Sequence, residues 1–356
     1  MPRKERRNRV KKLMCERGID NIVLAPGPDM TYLTGFREEQ SDRPLFLVIG
    51  DGYWLIAPQI YEGLKDLDSD IEVEIWKEGD VDCCYRLLKS KLKGRVALDD
   101  RMLFSSFYQI VKRFKGGYVY EQASSLTKEM RMIKDEDEIR TMRRANRIAS
   151  DALSAVLEKI GRGEREVEVA ADLEYEMKRR GASSPSFETI ATSGPRSAIP
   201  HARASSEPIE VNLVLDFGCF YENYASDMTR TFLLRRDREL ERVYEVVKEA
   251  QEMAVERVRE GIKAREVDLA ARSYIESEGY GKYFCHRTGH GIGLEVHEEP
   301  YISRDSEMVL KEGMAFSVEP GVYLPGKFGV RIEDIVVVTK SGCEMLSDFP
   351  KGMMVL

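Results

Sequence analysis

Four acidic residues and one histidine on short apolar or glycine-rich segments constrain this chain more than anything else in it. Asp216 and Asp227 stand eleven residues apart in VLDFGCFYENYASDMTRTF. His290 follows in TGHGIG, Glu319 in SVEPG and Glu333 in VRIED. Two carboxylates about 4 Å apart repel by roughly 4 kcal/mol at an effective dielectric near 20. A fold that gathers four of them must raise their pKa values or bind cations. Two divalent ions would cancel four negative charges and a neutral imidazole would complete the shell, which is the chemistry of a two-metal hydrolase. Carboxylates with one imidazole suit manganese, cobalt, iron or zinc.

At 356 residues the chain exceeds a typical single domain, and two domains are expected. Its 42% hydrophobic and 33% charged residues are those of a globular protein. No apolar run approaches the roughly 20 residues needed to cross a bilayer, so no membrane partner is expected. The basic opening MPRKERRNRVKKLM lacks an apolar core and is not a secretory signal. It reads as the solvated face of a helix. With a net charge of −7, nucleic acid is not expected as a partner. Six cysteines, at 15, 83, 84, 219, 285 and 343, form no CxxC pair, which fits a reduced, cytoplasmic chain.

The first part, residues 1–125, reads as a small α/β domain. Arg3 to Arg17 is helical and is stopped by Gly18. NIVLA, LFLVIG, YWLIA, EVEIW and RVALDD are strands, with a helix over Asp82 to Leu92. The pattern breaks near Gly116-Gly117. From 126 to 356 an α+β domain is expected. It opens with a long helix capped by Asp135 and Glu138, and a second helix over Val167 to Arg180 stops at Gly181. Two more helices lie near Glu239 to Glu260 and Glu266 to Ser277. VNLVLDFG pairs with ASDMTRTFLL, and MAFSVEP with FGVRIEDIVVVT, each strand carrying one acid. All four histidines, His201, His286, His290 and His297, fall in this second part, which points to a shared site.

LDFG, SDMTRTF, HRTGHGIG, VHEEP, EGMAFSVEPGVY and GVRIED together resemble the pita-bread metallopeptidases, namely methionine aminopeptidase, aminopeptidase P and prolidase (Xaa-Pro dipeptidase). SGPRSAIPHA is similar to the segment that carries a substrate-side histidine in that family, here His201. GIDNIVLAPGPDMTYLTGF resembles the opening of the creatinase-type N-terminal domain that accompanies the proline-specific members. The resemblance implies a pita-bread catalytic domain over 126–356 behind a creatinase-type domain over 1–125.

By the same resemblance Asp216, Asp227, His290, Glu319 and Glu333 are the metal ligands. Asp227 and Glu333 bridge the two ions, most readily manganese or cobalt. His201, His286, His297 and Arg331 contact the substrate, and Thr229 steadies Asp227. A water shared by the ions becomes a bridging hydroxide, Glu319 passes its proton to the leaving nitrogen, and His297 and His201 assist catalysis. The implied activity is exopeptidase cleavage before proline in Xaa-Pro dipeptides, by a homodimer. Aminopeptidase P action on longer Xaa-Pro-Yaa peptides is the alternative. A creatinase-like attack on a non-peptide C–N bond and an inactive binding scaffold are further ones. The chain departs from the pattern at Pro195, at Ala202, and at Tyr301. Many relatives read HEWPRIS where this chain reads HEEPYIS, so it lacks the arginine that can pair with a dipeptide's carboxylate. Arg304 is expected to be a surface residue.

Overall fold

A computed structural model describes residues 1–66, 68–114, 118–161 and 163–356. The chain forms two compact units, Met1–Arg131 and Met132–Leu356. The Gly116-Gly117 break lies outside the described residues.

The first unit is built on a six-stranded sheet in the order Glu72–Trp76, Tyr53–Pro58, Phe46–Ile49, Asn21–Leu24, Arg95–Leu98, Val119–Gln122. Asn21–Leu24 runs antiparallel to Phe46–Ile49 and parallel to Arg95–Leu98. Both central strands are buried at every residue, as continuous apolar strands covered on two faces should be. Val23, Phe46, Val48, Ile56, Trp76 and Leu88 share one core.

Helix Arg3–Arg17 ends where Gly18 takes φ +64° and its N–H closes onto the carbonyls of Cys15 and Met14. The expected solvated basic face needs correction, because Arg6 and Arg7 turn inward with Val10 and Met14. The Arg7 guanidinium donates to the Leu33 carbonyl (2.9 Å) and to Asp68 (2.8 Å), which satisfies a cation with no solvent exposure. The helix Phe104–Arg113 had no counterpart in the sequence reading.

The second unit opens with helix Glu136–Leu157. The Asp135 carboxylate accepts from the N–H groups of Asp137 and Glu138, and Glu138 accepts in return from the Asp135 N–H, each at 3.0 Å. This helix packs with Glu166–Arg179 against a three-stranded sheet of Met228–Leu233, Asn212–Phe217 and Ile190–Ser193. Helices Arg238–Arg257 and Ala264–Ser277 pack on a second core with the five-stranded sheet Glu298–Ile302, Gly289–Gly291, Ala315–Val318, Asp334–Val338, Cys343–Met345.

Asn212–Phe217 and Met228–Leu233 pair antiparallel, with Asp216 opposite Thr229. The short hairpin between them turns at Glu222 and Asn223, both at positive φ, as a tight turn between right-twisted strands requires. The second ribbon is not the simple pair expected from sequence. FGVRIEDIVVVT divides into Phe328–Arg331, which pairs with Gly321–Leu324, and Asp334–Val338, which pairs with Ala315–Val318. Glu333 therefore sits in the gap between two strands, Glu319 just past the end of another, and Asp227 just before Met228–Leu233. Of these four acids, only Asp216 lies within a strand. Ladder hydrogen bonds hold a backbone in a repeating pleat, and leaving the ladder frees these acids to turn toward one point.

Candidate active site

The residues expected to bind metal or substrate line one cavity of about 580 Å³ in the second unit: His201, Asp216, Asp227, His286, His290, His297, Glu319, Arg331 and Glu333. At its floor, donor atoms of Asp227, His290 and Glu333 lie within 4.8 Å of one another, all three residues buried. His290 Nε2 stands 3.2 Å from Glu319 Oε1 and 3.8 Å from Asp227 Oδ2. Asp216 pairs with the Arg331 guanidinium. Arg304 is exposed and lies outside the cavity lining.

The glycines around His290 explain how an imidazole reaches the floor. Gly289–Gly291 is threaded between Glu298–Ile302 and Ala315–Val318. A Cβ at Gly289 would lie 1.8 Å from the Ser317 carbonyl oxygen, and one at Gly291 would lie 2.2 Å from that of Glu299. Only glycine permits backbones to approach so closely on both sides. His290 is held from its main chain as well, its N–H donating to Ser317 Oγ at 3.0 Å, while that hydroxyl donates to Glu319 at 3.1 Å.

Three observations test whether this donor set fits a metal. Asp216 Oδ1, Asp227 Oδ1 and Glu333 Oε1 are buried carboxylate oxygens without a hydrogen-bond partner. Oxygens so placed are costly unless something positive meets them. The His290 Nδ1 faces its neighbour's carbonyl, Gly291 O at 3.1 Å, which turns Nε2 toward Glu319 and Asp227. Finally, burial, reinforced by Glu333 and Asp216, pushes the Asp227 carboxyl well above its usual range. Burial does the same to Glu333, helped by Glu319 and Asp216. Burial also opposes ionisation of Glu319, but the hydrogen bond and charge of His290 outweigh it and hold that carboxyl at about 2. The residues fit a bound cation.

A hydrogen-bond chain supports the floor. Arg331 donates through Nε to Thr229 Oγ1 (3.1 Å) and through Nη1 to Tyr323 Oη (2.8 Å) and the Pro200 carbonyl (3.3 Å). Thr229 then donates to Glu333 Oε2 at 2.6 Å, so the expectation that it steadies Asp227 is corrected: its rotamer points across the sheet to the other acid. His286 Nδ1 donates to the Arg287 carbonyl at 2.7 Å, which leaves Nε2 to accept from the Tyr323 hydroxyl at 2.9 Å. Tyr323 thereby joins His286 to Arg331. Sequence reasoning missed it, although it stands in VEPGVY, four residues past Glu319 and two past Gly321. A Cβ at Gly321 would lie 2.5 Å from the Tyr323 hydroxyl oxygen, so the glycine leaves it room.

At the wider end, His201 and His297 are exposed. The His297 ring packs 4.2 Å from that of His290 between centroids. Partial burial, with the neighbouring His290, lowers His297 to about 4, so this ring is neutral near pH 7.

Residues 140–340 match metallopeptidase family M24, and residues 6–133 match the creatinase/prolidase N-terminal domain. An Xaa-Pro dipeptidase of Pyrococcus horikoshii is 38% identical over 347 residues, covering 96% of this chain and 97% of that protein. A prolidase from Thermococcus sibiricus superposes with a TM-score of 0.94 at 37% identity, covering both chains in full. An X-Pro aminopeptidase from Thermotoga maritima superposes with a TM-score of 0.86 at 36% identity, covering 98% of this chain and 100% of that one. With both of its domains matched, the chain belongs to metallopeptidase family M24, in the branch that carries a creatinase/prolidase N-terminal domain, and is a metal-dependent hydrolase.

Proposed function

We propose that the protein is an Xaa-Pro dipeptidase working through two divalent ions. The observation that carries this reading is one cavity in which donor atoms of Asp227, His290 and Glu333 lie within 4.8 Å of one another, and in which a buried carboxylate oxygen of each of Asp216, Asp227 and Glu333 lacks a hydrogen-bond partner. Asp216, Asp227, His290, Glu319 and Glu333 would hold the ions. Manganese or cobalt suits such a shell, with zinc or iron also accommodated. Ions so held lower the pKa of water to the neutral range and polarise a carbonyl as Lewis acids.

The chain's own residues do the rest. Glu319, at the edge of the floor beside Ser317, is placed to take a proton at Oε1 and return it to the leaving proline nitrogen, a secondary amine that must be protonated. His297, neutral near pH 7, can offer a ring N–H to the oxygen on which charge develops. His201 lines the same opening and serves as a second substrate contact. Arg331, His286 and Tyr323 hold the wall between floor and opening in one arrangement, which preserves the geometry the reaction needs.

The names of the Pyrococcus and Thermococcus relatives support cleavage before proline, and the Thermotoga relative supports a second reading, removal of the first residue from longer Xaa-Pro-Yaa peptides. Proline release from Ala-Pro and alanine release from Ala-Pro-Ala, each with manganese or cobalt after chelation, separate the two. Turnover of the dipeptide alone is expected; turnover of the tripeptide alone would reverse the assignment. We further place the enzyme in a reducing cytoplasm, as a homodimer. All six cysteines are free thiols, and among the described residues no helix is long and apolar enough to cross a membrane.

A further inference from the structure

The cavity has an acidic floor and a cationic rim. Arg203 and Arg287 both line it. The charge of Arg203 is met by Glu188 at 3.1 Å. Among the described residues no carboxylate lies within ion-pair distance of Arg287, whose guanidinium rests instead over the ring of Tyr301, 4.2 Å from its centroid. Tyr301 is opposite His290 in the antiparallel pair of Glu298–Ile302 with Gly289–Gly291. Directly opposed residues project from the same face of a sheet, so Tyr301 and His290 share a face, and Arg287 itself lines the cavity.

Stacking on an aromatic ring uses the face of a guanidinium and leaves its in-plane N–H groups pointing outward. Those N–H groups form the fork that matches a carboxylate in two parallel hydrogen bonds. A stacked arginine has also lost part of its rotamer freedom beforehand, so less is lost on binding. The exposed side chain is open to an incoming ligand, and what it is built to meet is an anion.

We propose that Arg287, seated on the Tyr301 ring, forms a subsite that receives a carboxylate of the substrate and so determines which peptides are bound well. The inference rests on the Xaa-Pro peptidase reading. In such substrates a carboxylate has two sources: the terminal α-carboxylate of a dipeptide, one residue beyond the scissile bond, or an acidic side chain before proline.

The test measures kcat and KM for four substrates, Ala-Pro, Ala-Pro-amide, Glu-Pro and Gln-Pro, in manganese-loaded wild type, Arg287→Met, Tyr301→Leu and Tyr301→Phe. Loss of a charge-assisted contact should raise KM about 10-fold or more in Arg287→Met, with kcat changed by less than about twofold. Collapse of the Ala-Pro to Ala-Pro-amide preference in this variant identifies the terminal carboxylate. Collapse of the Glu-Pro to Gln-Pro preference identifies the side chain. Tyr301→Leu should move the same ratio part of the way, and Tyr301→Phe, which keeps the ring, should restore it. Unchanged ratios in Arg287→Met with wild-type melting behaviour overturn the subsite alone. Wild type that cleaves none of the four substrates overturns the peptidase reading, and the subsite with it.

Discussion

Replacing Asp227 by asparagine should stabilise the metal-free protein while destroying its response to metal. Donor atoms of Asp227, His290 and Glu333 lie within 4.8 Å of one another. Two unit charges at that separation repel by about 332/(20 × 4.8), roughly 3.5 kcal/mol, at an effective dielectric of 20. Part of this is already relieved without metal, because burial and the neighbouring acids push both carboxyls well above their usual range. About 1–3 kcal/mol therefore remains to be gained by removing one of them. The amide introduced by Asp227→Asn also brings N–H donors to oxygens that now lack them. For a domain of this size that gain raises the melting temperature by roughly 3–10 °C.

The assay is thermal melting after chelation, then with increasing manganese. Wild type should gain stability as RT ln(1 + [metal]/Kd), whereas Asp227→Asn should start higher and stay nearly flat, with turnover lost. The pH dependence follows the same logic. Groups whose folded pKa lies above the unfolded value bind more protons when folded, so metal-free wild type should lose stability as pH rises from about 4 through the raised values. Asp227→Asn should lose less. A metal-free variant that melts below wild type, and that manganese still stabilises, would refute the reasoning.

Three further outcomes are expected. Tyr323→Phe removes the hydroxyl that donates to His286 and accepts from Arg331, and should cost about 1–3 kcal/mol of stability. Turnover should fall with it; unaltered melting and kinetics would show that the chain of contacts is idle. Gly289→Ala places a methyl 1.8 Å from the Ser317 carbonyl oxygen and should separate Gly289–Gly291, which carries His290, from Ala315–Val318, which leads into Glu319, lowering the yield of folded protein or its metal affinity by more than about 10-fold. A fully active Gly289→Ala enzyme would contradict the close approach. In the first unit, burial pushes Asp99 up to about 6. A raised folded pKa means stability falls as pH rises from about 4 to 6, by up to about 3 kcal/mol. Asp99→Asn should flatten urea-unfolding free energies over that window, and an unchanged slope would show that Asp99 is not the titrating group.

Much of this architecture was legible in the sequence wherever the signal was local. Asp135 and Glu138 marked a helix start because the capping box closes within three residues. Gly18 marked a helix end because a left-handed residue closes the last turn. The strands of the first unit were readable because burial on both faces leaves uninterrupted apolar runs. Arg6 and Arg7 misled for the complementary reason: a basic stretch looks solvated unless Asp68, 61 positions beyond Arg7, is known to wait for it.

The candidate site divides along the same line. The identities of Asp216, Asp227, His290, Glu319 and Glu333 were available from the chain alone, since their motifs and order are distinctive. That Glu333 lies in a gap between strands, that Thr229 reaches Glu333 and not Asp227, and that Tyr323 ties His286 to Arg331 could be known only from the fold. Thr229 and Glu333, for example, are 104 positions apart. Sequence spacing specifies which side chains a segment carries and which face they take. It does not specify which other segment meets that face. Packing decides that, and here packing turned four dispersed acids into one electrostatic problem that a cation can solve.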